Sequence, residues 1–230
     1  MEKKQYDLCL DVLQRFHKQK ILSELILIGS WCVVFYEKYF SGQDDLRKIT
    51  LITRDIDFLI DHPASIKVKV DIPELLKDLG FITTFKGAQG YIKLDHPELI
   101  LEFLTPERGR GREKPYPLPS LGVNATALRF LEMLTQNIIQ VKIDQMTIKL
   151  PHPANFALHK LIIAPRRLKK EKTIKDQETA MIVLKALINH QQISSIKKAY
   201  KTIPFNWQKK IIDALRQTED IGLLNELEKT

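Results

Sequence analysis

Thr53-Arg54-Asp55-Ile56-Asp57-Phe58-Leu59-Ile60 is the stretch on which the reading of this chain turns. Its composition predicts a β-strand. Period-two alternation then puts Asp55 and Asp57 on one face and Ile56, Phe58 and Ile60 on the other. Two carboxylates that close repel each other, and burying them is costly unless a cation neutralises the pair. A hard divalent ion with oxygen ligands, Mg²⁺ or Mn²⁺ beside substrate phosphates, is the natural partner. Upstream, Leu25-Ile26-Leu27-Ile28 predicts a second strand, followed by Gly29-Ser30 and the apolar run Trp31-Cys32-Val33-Val34-Phe35-Tyr36. A strand, a Gly-Ser turn and a helix N-terminus together offer N–H groups to a phosphate. A phosphate cradle followed by a metal-binding strand points to nucleotide chemistry with a nucleoside triphosphate (NTP) as substrate.

The 230 residues leave room for one large or two modest domains, and 44% hydrophobic with 28% charged residues is ordinary for a globular protein. No apolar run approaches the ~20 residues of a membrane span, so no membrane partner is expected. Tyr6, Cys9, Leu10, Leu13 and Phe16 recur at helical spacing and predict an amphipathic first helix, not a signal peptide. Cys9 and Cys32 are the only cysteines and have neither metal-ligand nor redox spacing. A reducing cytoplasm is the expected compartment. Residues 1–150 hold 21 Lys/Arg against 20 Asp/Glu, whereas residues 151–230 hold 15 against 8. Nearly all of the net +8 therefore lies in the last third, which points to a polyanion as partner for that part.

Along the chain, 73–79 predicts a short helix ended by Gly80. Residues 81–85 and 91–94 predict a hairpin across Lys86–Gly90, and 99–104 a strand. A Gly/Arg/Pro-rich loop is expected over 105–119. Strands are expected at 128–134 (with a helix as the alternative), 138–143 and 146–150. After Pro151-His152-Pro153 the pattern turns helical, at 154–164 and from Asp176 onward with the stripe Ala180, Val183, Leu184, Leu187 and Ile188. Shorter helices follow at 193–201, 205–217 and 219–228. The expected class is α+β: a mixed sheet with flanking helices over 1–150, then a helical bundle over 151–230.

Two-metal phosphoryl chemistry needs a third acid from a neighbouring strand. Glu102, the one acid inside the apolar strand 99–104, is the candidate; an edge-strand charge that discourages aggregation is the alternative reading. Asp95 sits in Asp-His-Pro, a turn sequence. The six histidines lack zinc spacing. The second residue after Glu102 is Leu104, not the lysine of a Glu-x-Lys nuclease, and no Gly-x-x-x-x-Gly-Lys-Ser/Thr loop occurs.

With Gly29-Ser30, Asp55/Asp57 and Glu102 in place, the chain resembles the nucleotidyltransferase superfamily with its polymerase-β-like fold. More narrowly it resembles the bacterial GSLTYFAM-type nucleotidyltransferases related to the AbiEii toxin group. Thr53–Ile60 is a close match, and Glu102-Phe103-Leu104-Thr105-Pro106 is similar to an Asp-Phe-Leu-Thr-Pro-like segment. Of the first motif, Gly29, Ser30 and Tyr36-Glu37 match well. Pro151 to Lys160 is the best match outside the acids. The third acid is glutamate where the family usually has aspartate, and Trp31 replaces a smaller residue. The resemblance implies active-site roles for Lys160 and for Asp176 after the next helix start. Lys160 shares an apolar stripe with Phe156 and Ile163, so it either snorkels outward or reaches into the cleft. Asp176 has the alternative of an acid favoured by a helix dipole.

Two basic segments complete the reading. Arg108, Arg110, Arg112 and Lys114 interleave with Gly109 and Gly111 just after the Glu102 strand. Glycine admits close backbone approach to phosphate and arginine supplies forked donors, although a solvated loop has the same composition. Arg166, Arg167, Lys169, Lys170, Lys172 and Lys175 form a second cluster at the expected cleft rim. The expected activity is Mg²⁺-dependent transfer of a nucleoside monophosphate to an acceptor hydroxyl. The acceptor could be RNA (a tRNA end among the options), a protein or a small molecule. The rival reading is an inactive nucleic-acid-binding or regulatory protein on the same fold, and a toxin restrained by an antitoxin partner is compatible with the first.

Overall fold

Alternation along β2 (Asp55–Leu59) separates two environments, and the rest of the fold is built on that separation. The computed structural model describes residues 3–41, 46, 53–109, 114–218 and 221–229. In chain order, α1 (Lys3–Lys18) leads into β1 (Ile26–Ile28) and α2 (Trp31–Tyr39), and then comes β2. Next are α3 (Ile72–Leu76), β3 (Ile82–Lys86), β4 (Tyr91–Asp95), β5 (Ile100–Pro106), β6 (Tyr116–Leu118) and β7 (Val123–Leu128). One turn of helix, α4 (Glu132–Thr135), precedes β8 (Ile138–Ile143) and β9 (Met146–Pro151). The chain closes with α5 (Pro153–Ile163), α6 (Lys170–Asn189), α7 (Ile193–Lys201), α8 (Phe205–Arg216) and α9 (Ile221–Glu228).

Among the described residues, nine strands form one mixed sheet in the order β3-β4-β5-β2-β1-β9-β8, with β7 beside the end of β5 and β6 on β7. β2 and β5 run parallel with Asp57 level with Glu102 and Phe58 with Phe103. β1 runs antiparallel to β2, with Ile28 level with Asp57. One face of these three strands carries Leu27, Ile56, Phe58, Ile60, Leu101 and Phe103 into the main core, where α1 covers them with Cys9, Val12, Leu13 and Phe16. Phe58 stacks on Phe103 at 5.8 Å and meets the edge of Phe16 at 5.3 Å. Each buried ring of this kind contributes about 1.5–3 kcal/mol. The other face holds the acids and, beside them, a small apolar cluster of Ile26, Ile28, Leu59, Leu104, Leu131 and Leu134. The central strands thus carry the main core on one face and, on the other, the carboxylates beside a small apolar cluster, the division that the Asp-x-Asp strand predicts.

The expected α+β class, the hairpin, the first helix and the helical last third are all present. Asp71 caps α3 by accepting from Glu74 N–H at 3.1 Å, and Gly80 stops the following turn with φ +89°. Three expectations shift. The 105–119 segment is less irregular than expected, since β5 continues to Pro106 and Tyr116–Leu118 pairs with β7. The strand expected at 128–134 lies earlier, at Val123–Leu128, and is followed by the turn of α4. Asn124, Ala125, Thr126 and Ala127 are too small and mixed to advertise a strand, whereas Leu131 and Leu134, three apart, fill the cleft-face cluster as a helical turn does. Finally, α6 begins at Lys170, six residues before Asp176. Its apolar stripe starts only where the helix passes beneath other elements, so the polar turns at the cleft mouth carry no periodic signal.

Residue 151 is the junction between the last strand and the helices. Tyr36 in α2 donates to the Pro151 carbonyl at 2.8 Å, and Tyr39 bonds Gln192 at 2.9 Å and His152 at 3.2 Å. One apolar cluster runs from Cys9 to Leu227 across that junction. Among the described residues no helix is long and apolar enough to cross a membrane.

Candidate active site

A cleft of about 740 Å³ opens on the acid-bearing face of the sheet. Asp55, Asp57 and Glu102 all line it, so the three carboxylates expected to converge share one cavity. Register explains why: alternation keeps Asp55 and Asp57 on one face, and the parallel pairing sets Glu102 beside Asp57 on that face. Asp55 is exposed at the strand's start, whereas Asp57 and Glu102 are half-buried. Burial, and after it the Asp55 charge, pushes the Asp57 carboxyl up to about 6; Lys160, Lys93 and Arg167 pull against that rise.

Gly29 and Ser30 join β1 to α2 at the cleft floor and also line it. Gly29 adopts φ +74°, and a Cβ on it would stand 2.7 Å from Asp57 Oδ2. The glycine is thus required twice, for a left-handed turn and for close approach of the aspartate. Ser30 occupies the N-cap of α2 without a side-chain capping bond. We expect Gly29→Ala to lose about 1–3 kcal/mol through backbone strain. It should also swing the Asp57 carboxylate aside, because that carboxylate is the flexible partner in the clash. Melting curves with and without Mg²⁺ and an NTP measure both effects. An unaltered ligand-induced rise in Tm would show that Asp57 keeps its place.

The facing wall comes from α5 and α6. Lys160 is only 5% exposed, so of the two readings of its stripe the inward one holds. Its ammonium contacts Asp176 Oδ1 at 2.5 Å and lies 5.3 Å from the centre of the Phe156 ring. Arg167 donates to the other Asp176 oxygen at 2.7 Å. Asp176 therefore sits in the second turn of α6, holding two cations at the cleft, and not in a first turn where the helix dipole would account for it. Burial raises its carboxyl, but the Lys160 charge and the hydrogen bonds from Lys160 and Arg167 outweigh burial and hold it below the ordinary aspartate value. Arg166, Lys172 and Lys175 extend this basic wall. Arg166 lies over the Phe130 ring at 4.8 Å.

The remaining basic candidates lie elsewhere. Lys169 and Lys170 are exposed beyond the cleft lining. Arg108 is bound to Asp61, at 2.7 Å to its carboxylate and 3.0 Å to its carbonyl, and does not line the cleft. Arg110 and Arg112 lie outside the described residues. Cys9 and Cys32 are buried, and burial pushes both thiols up, so neither is poised as a nucleophile.

Two residues outside the sequence reading of the site bear on its electrostatics, His159 in the cleft lining and Lys93 beside Glu102. His159 faces the cleft from α5, with burial and then Lys160 pushing its imidazole down to about 3, so it is neutral. Lys93 on β4 makes an ion pair with Glu102. Alternation in Tyr91–Asp95 does place Lys93 opposite the buried Leu94 face. Only the register of β4 on β5, Leu94 level with Leu101, brings it to Glu102. Among the described residues no three His, Cys, Asp or Glu side chains gather closely enough to ligate one ion. Asp55 and Asp57 do offer carboxylate oxygens on one face, one of them half-buried and disfavoured as an anion. That is the donor set a hard divalent cation takes.

Solved structures similar to this chain include the following three. One is a solution structure of the antibiotic-resistance factor ANT(2'')-Ia, at 12% identity over 88% of this chain and 94% of that one, with a TM-score of 0.49. Another is a crystal structure of ANT(2'')-Ia in complex with adenylyl-2''-tobramycin, at 12% identity over 86% and 99%, with a TM-score of 0.47. The third is an antigenic nucleotidyltransferase-like protein from Paracoccidioides brasiliensis, at 16% identity over 84% and 91%, with a TM-score of 0.37. No match was found among curated proteins. The nucleotidyltransferase family model matches residues 8–204, which take in every described strand of the sheet and most of the helical part, and the chain belongs to that family of enzymes.

Proposed function

We propose that this nucleotidyltransferase moves a nucleoside monophosphate from an NTP to the hydroxyl of an RNA end, with Mg²⁺ as its metal. The observation that carries the reading is the pairing of two opposed walls in one cleft. Carboxylates stand on the sheet face, and the cations Lys160, Arg166, Arg167, Lys172 and Lys175 stand on α5, the turn after it and α6. Asp55 and Asp57 would hold the ion. When bound, it supplies charge neutralisation and polarisation at the transferring phosphoryl group. The α2 N-terminus at Gly29-Ser30 receives phosphate oxygens through backbone N–H groups. Lys160, oriented by Asp176, and Arg167 balance the charge of the departing pyrophosphate. Glu102, level with Asp57, accepts a hydrogen bond from the attacking hydroxyl and aligns it. The acceptor oxygen bonds to the α-phosphorus as the bond to pyrophosphate breaks; the electron pair of that bond leaves with pyrophosphate, and the hydroxyl proton passes to Glu102 and from it to solvent.

The choice of RNA rests on the basic rim. Incubation with each α-labelled NTP, Mg²⁺ and total tRNA or cell lysate should transfer label to RNA. Label found only on protein or on a small molecule would overturn the acceptor and leave the transfer chemistry standing. Arg166, Lys169 and Lys170 reversed together to Glu should weaken RNA binding and flatten its salt dependence by about 0.7 in log–log slope per lost phosphate contact. Arg167 is left in place because it serves Asp176. An unchanged slope would make the rim a solvated connector.

A further inference from the structure

One row of side chains crosses the cleft face of the sheet. Pairing sets Ile28 level with Asp57 and Asp57 level with Glu102. The antiparallel pairs Leu94–Leu101 and Asp95–Ile100 continue, one position further, to Lys93 beside Glu102. Lys93 in turn is level with Thr84 on β3. The ammonium of Lys93 touches Glu102 Oε1, and both side chains are largely shielded, at 18% and 23% exposure. The third acid of the cluster therefore already has a cation, supplied by the chain and fixed to a strand.

We propose that Lys93 is the resident cation of the acid cluster and stands where a second divalent ion would otherwise be held, so that each chain takes one divalent ion. The inference rests on the metal-dependent reading of Asp55 and Asp57 given above. Three carboxylates are neutralised by one divalent ion and one ammonium. A second ion on Glu102 would have to displace an ammonium from a half-buried contact. The carboxylates nearest at hand to receive that ammonium, Asp55 and Asp57, are the ones the first ion would occupy. Lys93 is in this sense a positioning residue: it holds the Glu102 carboxylate level with Asp57 without the geometric demands of an ion.

The test counts ions directly. Mn²⁺ alone, and Mn²⁺ with a non-hydrolysable NTP analogue, are titrated into the full chain and followed by electron paramagnetic resonance. The parent should bind one Mn²⁺ at the acids. Lys93→Met, which keeps the stem and removes the charge, should bind a second ion or hold the first at least tenfold more tightly. Lys93→Arg should behave as the parent. A parent that binds two ions there, or a Lys93→Met variant with the parent's count and affinity or with weaker binding, overturns the proposal. Asp57→Asn separates the two levels of the argument. If it binds Mn²⁺ as well as the parent does, the metal site itself falls, and the role of Lys93 falls with it. If Mn²⁺ binding is lost in Asp57→Asn yet Lys93→Met changes nothing, only the role of Lys93 is lost.

Discussion

Asp57→Asn should abolish nucleotidyl transfer, lowering it by at least about a thousandfold, while the apo protein becomes more stable. The loss follows from removing the charge of the central carboxylate at a site that works by electrostatic stabilisation, where one such group is worth a few kcal/mol. The gain follows from the carboxyl value of about 6, raised first by burial and then by Asp55. A carboxyl whose folded value lies above its unfolded value of ~3.9 stabilises the fold when protonated, and that contribution is lost as the pH rises through 6. Above pH 6 the parent thus carries a penalty of up to about 3 kcal/mol that asparagine does not. Without metal, the variant should melt higher than the parent at pH 8, and the difference should shrink between pH 6 and pH 4. With Mg²⁺ and an NTP the order should reverse, because only the parent gains from the ion. A variant that gains as much from Mg²⁺-NTP as the parent would remove Asp57 from the metal site.

The same residue shows how far the sequence could be read. Alternation within Thr53–Ile60 is a local property of the backbone, so the separation of Asp55 and Asp57 from Ile56, Phe58 and Ile60 was legible, and the two faces are as expected. Glu102 was legible as an anomaly, an acid in an apolar strand. Its place beside Asp57 depends on strand register, a tertiary fact for which the sequence holds no local signal. Lys93 was invisible for the same reason, since a lysine between Ile92 and Leu94 reads as an ordinary solvent-facing position until β4 is set against β5. The Val123–Leu128 strand was missed because its side chains are small, and pairing with β5 and β6 holds it in place of a hydrophobic pattern. The basic cluster at 166–175 was legible as charge, but its division was not. Arg167 turns inward to a carboxylate, Arg166 lies on an aromatic ring, and Lys169 and Lys170 stay in solvent.

Asp176→Ala should cost more stability than any single change on the sheet side of the cleft, about 3–5 kcal/mol, the usual result of removing one partner from a buried ion pair. Lys160 and Asp176 have side chains only 6% and 8% exposed, and Arg167 shares the same carboxylate. Alanine leaves Lys160 charged beneath Phe156 with no anion in contact, and that desolvation is what destabilises. Against a typical total stability of about 5–15 kcal/mol, the Tm should fall by many degrees. The deficit should stay constant from neutral pH down to about pH 4. A carboxyl held below its unfolded value contributes fully above that value and loses the contribution only as the pH falls through the folded one. Pairing the change with Lys160→Met should recover most of the stability, since an apolar replacement of a buried pair is often neutral. Activity should not return, because the double variant lacks the ammonium that faces the acids. Chemical denaturation of the parent, both single variants and the double variant closes the thermodynamic cycle. If Asp176→Ala melts with the parent, Lys160 has another anchor and the wall is held by packing alone. If the double variant regains transfer along with stability, Lys160 serves the fold and not the triphosphate.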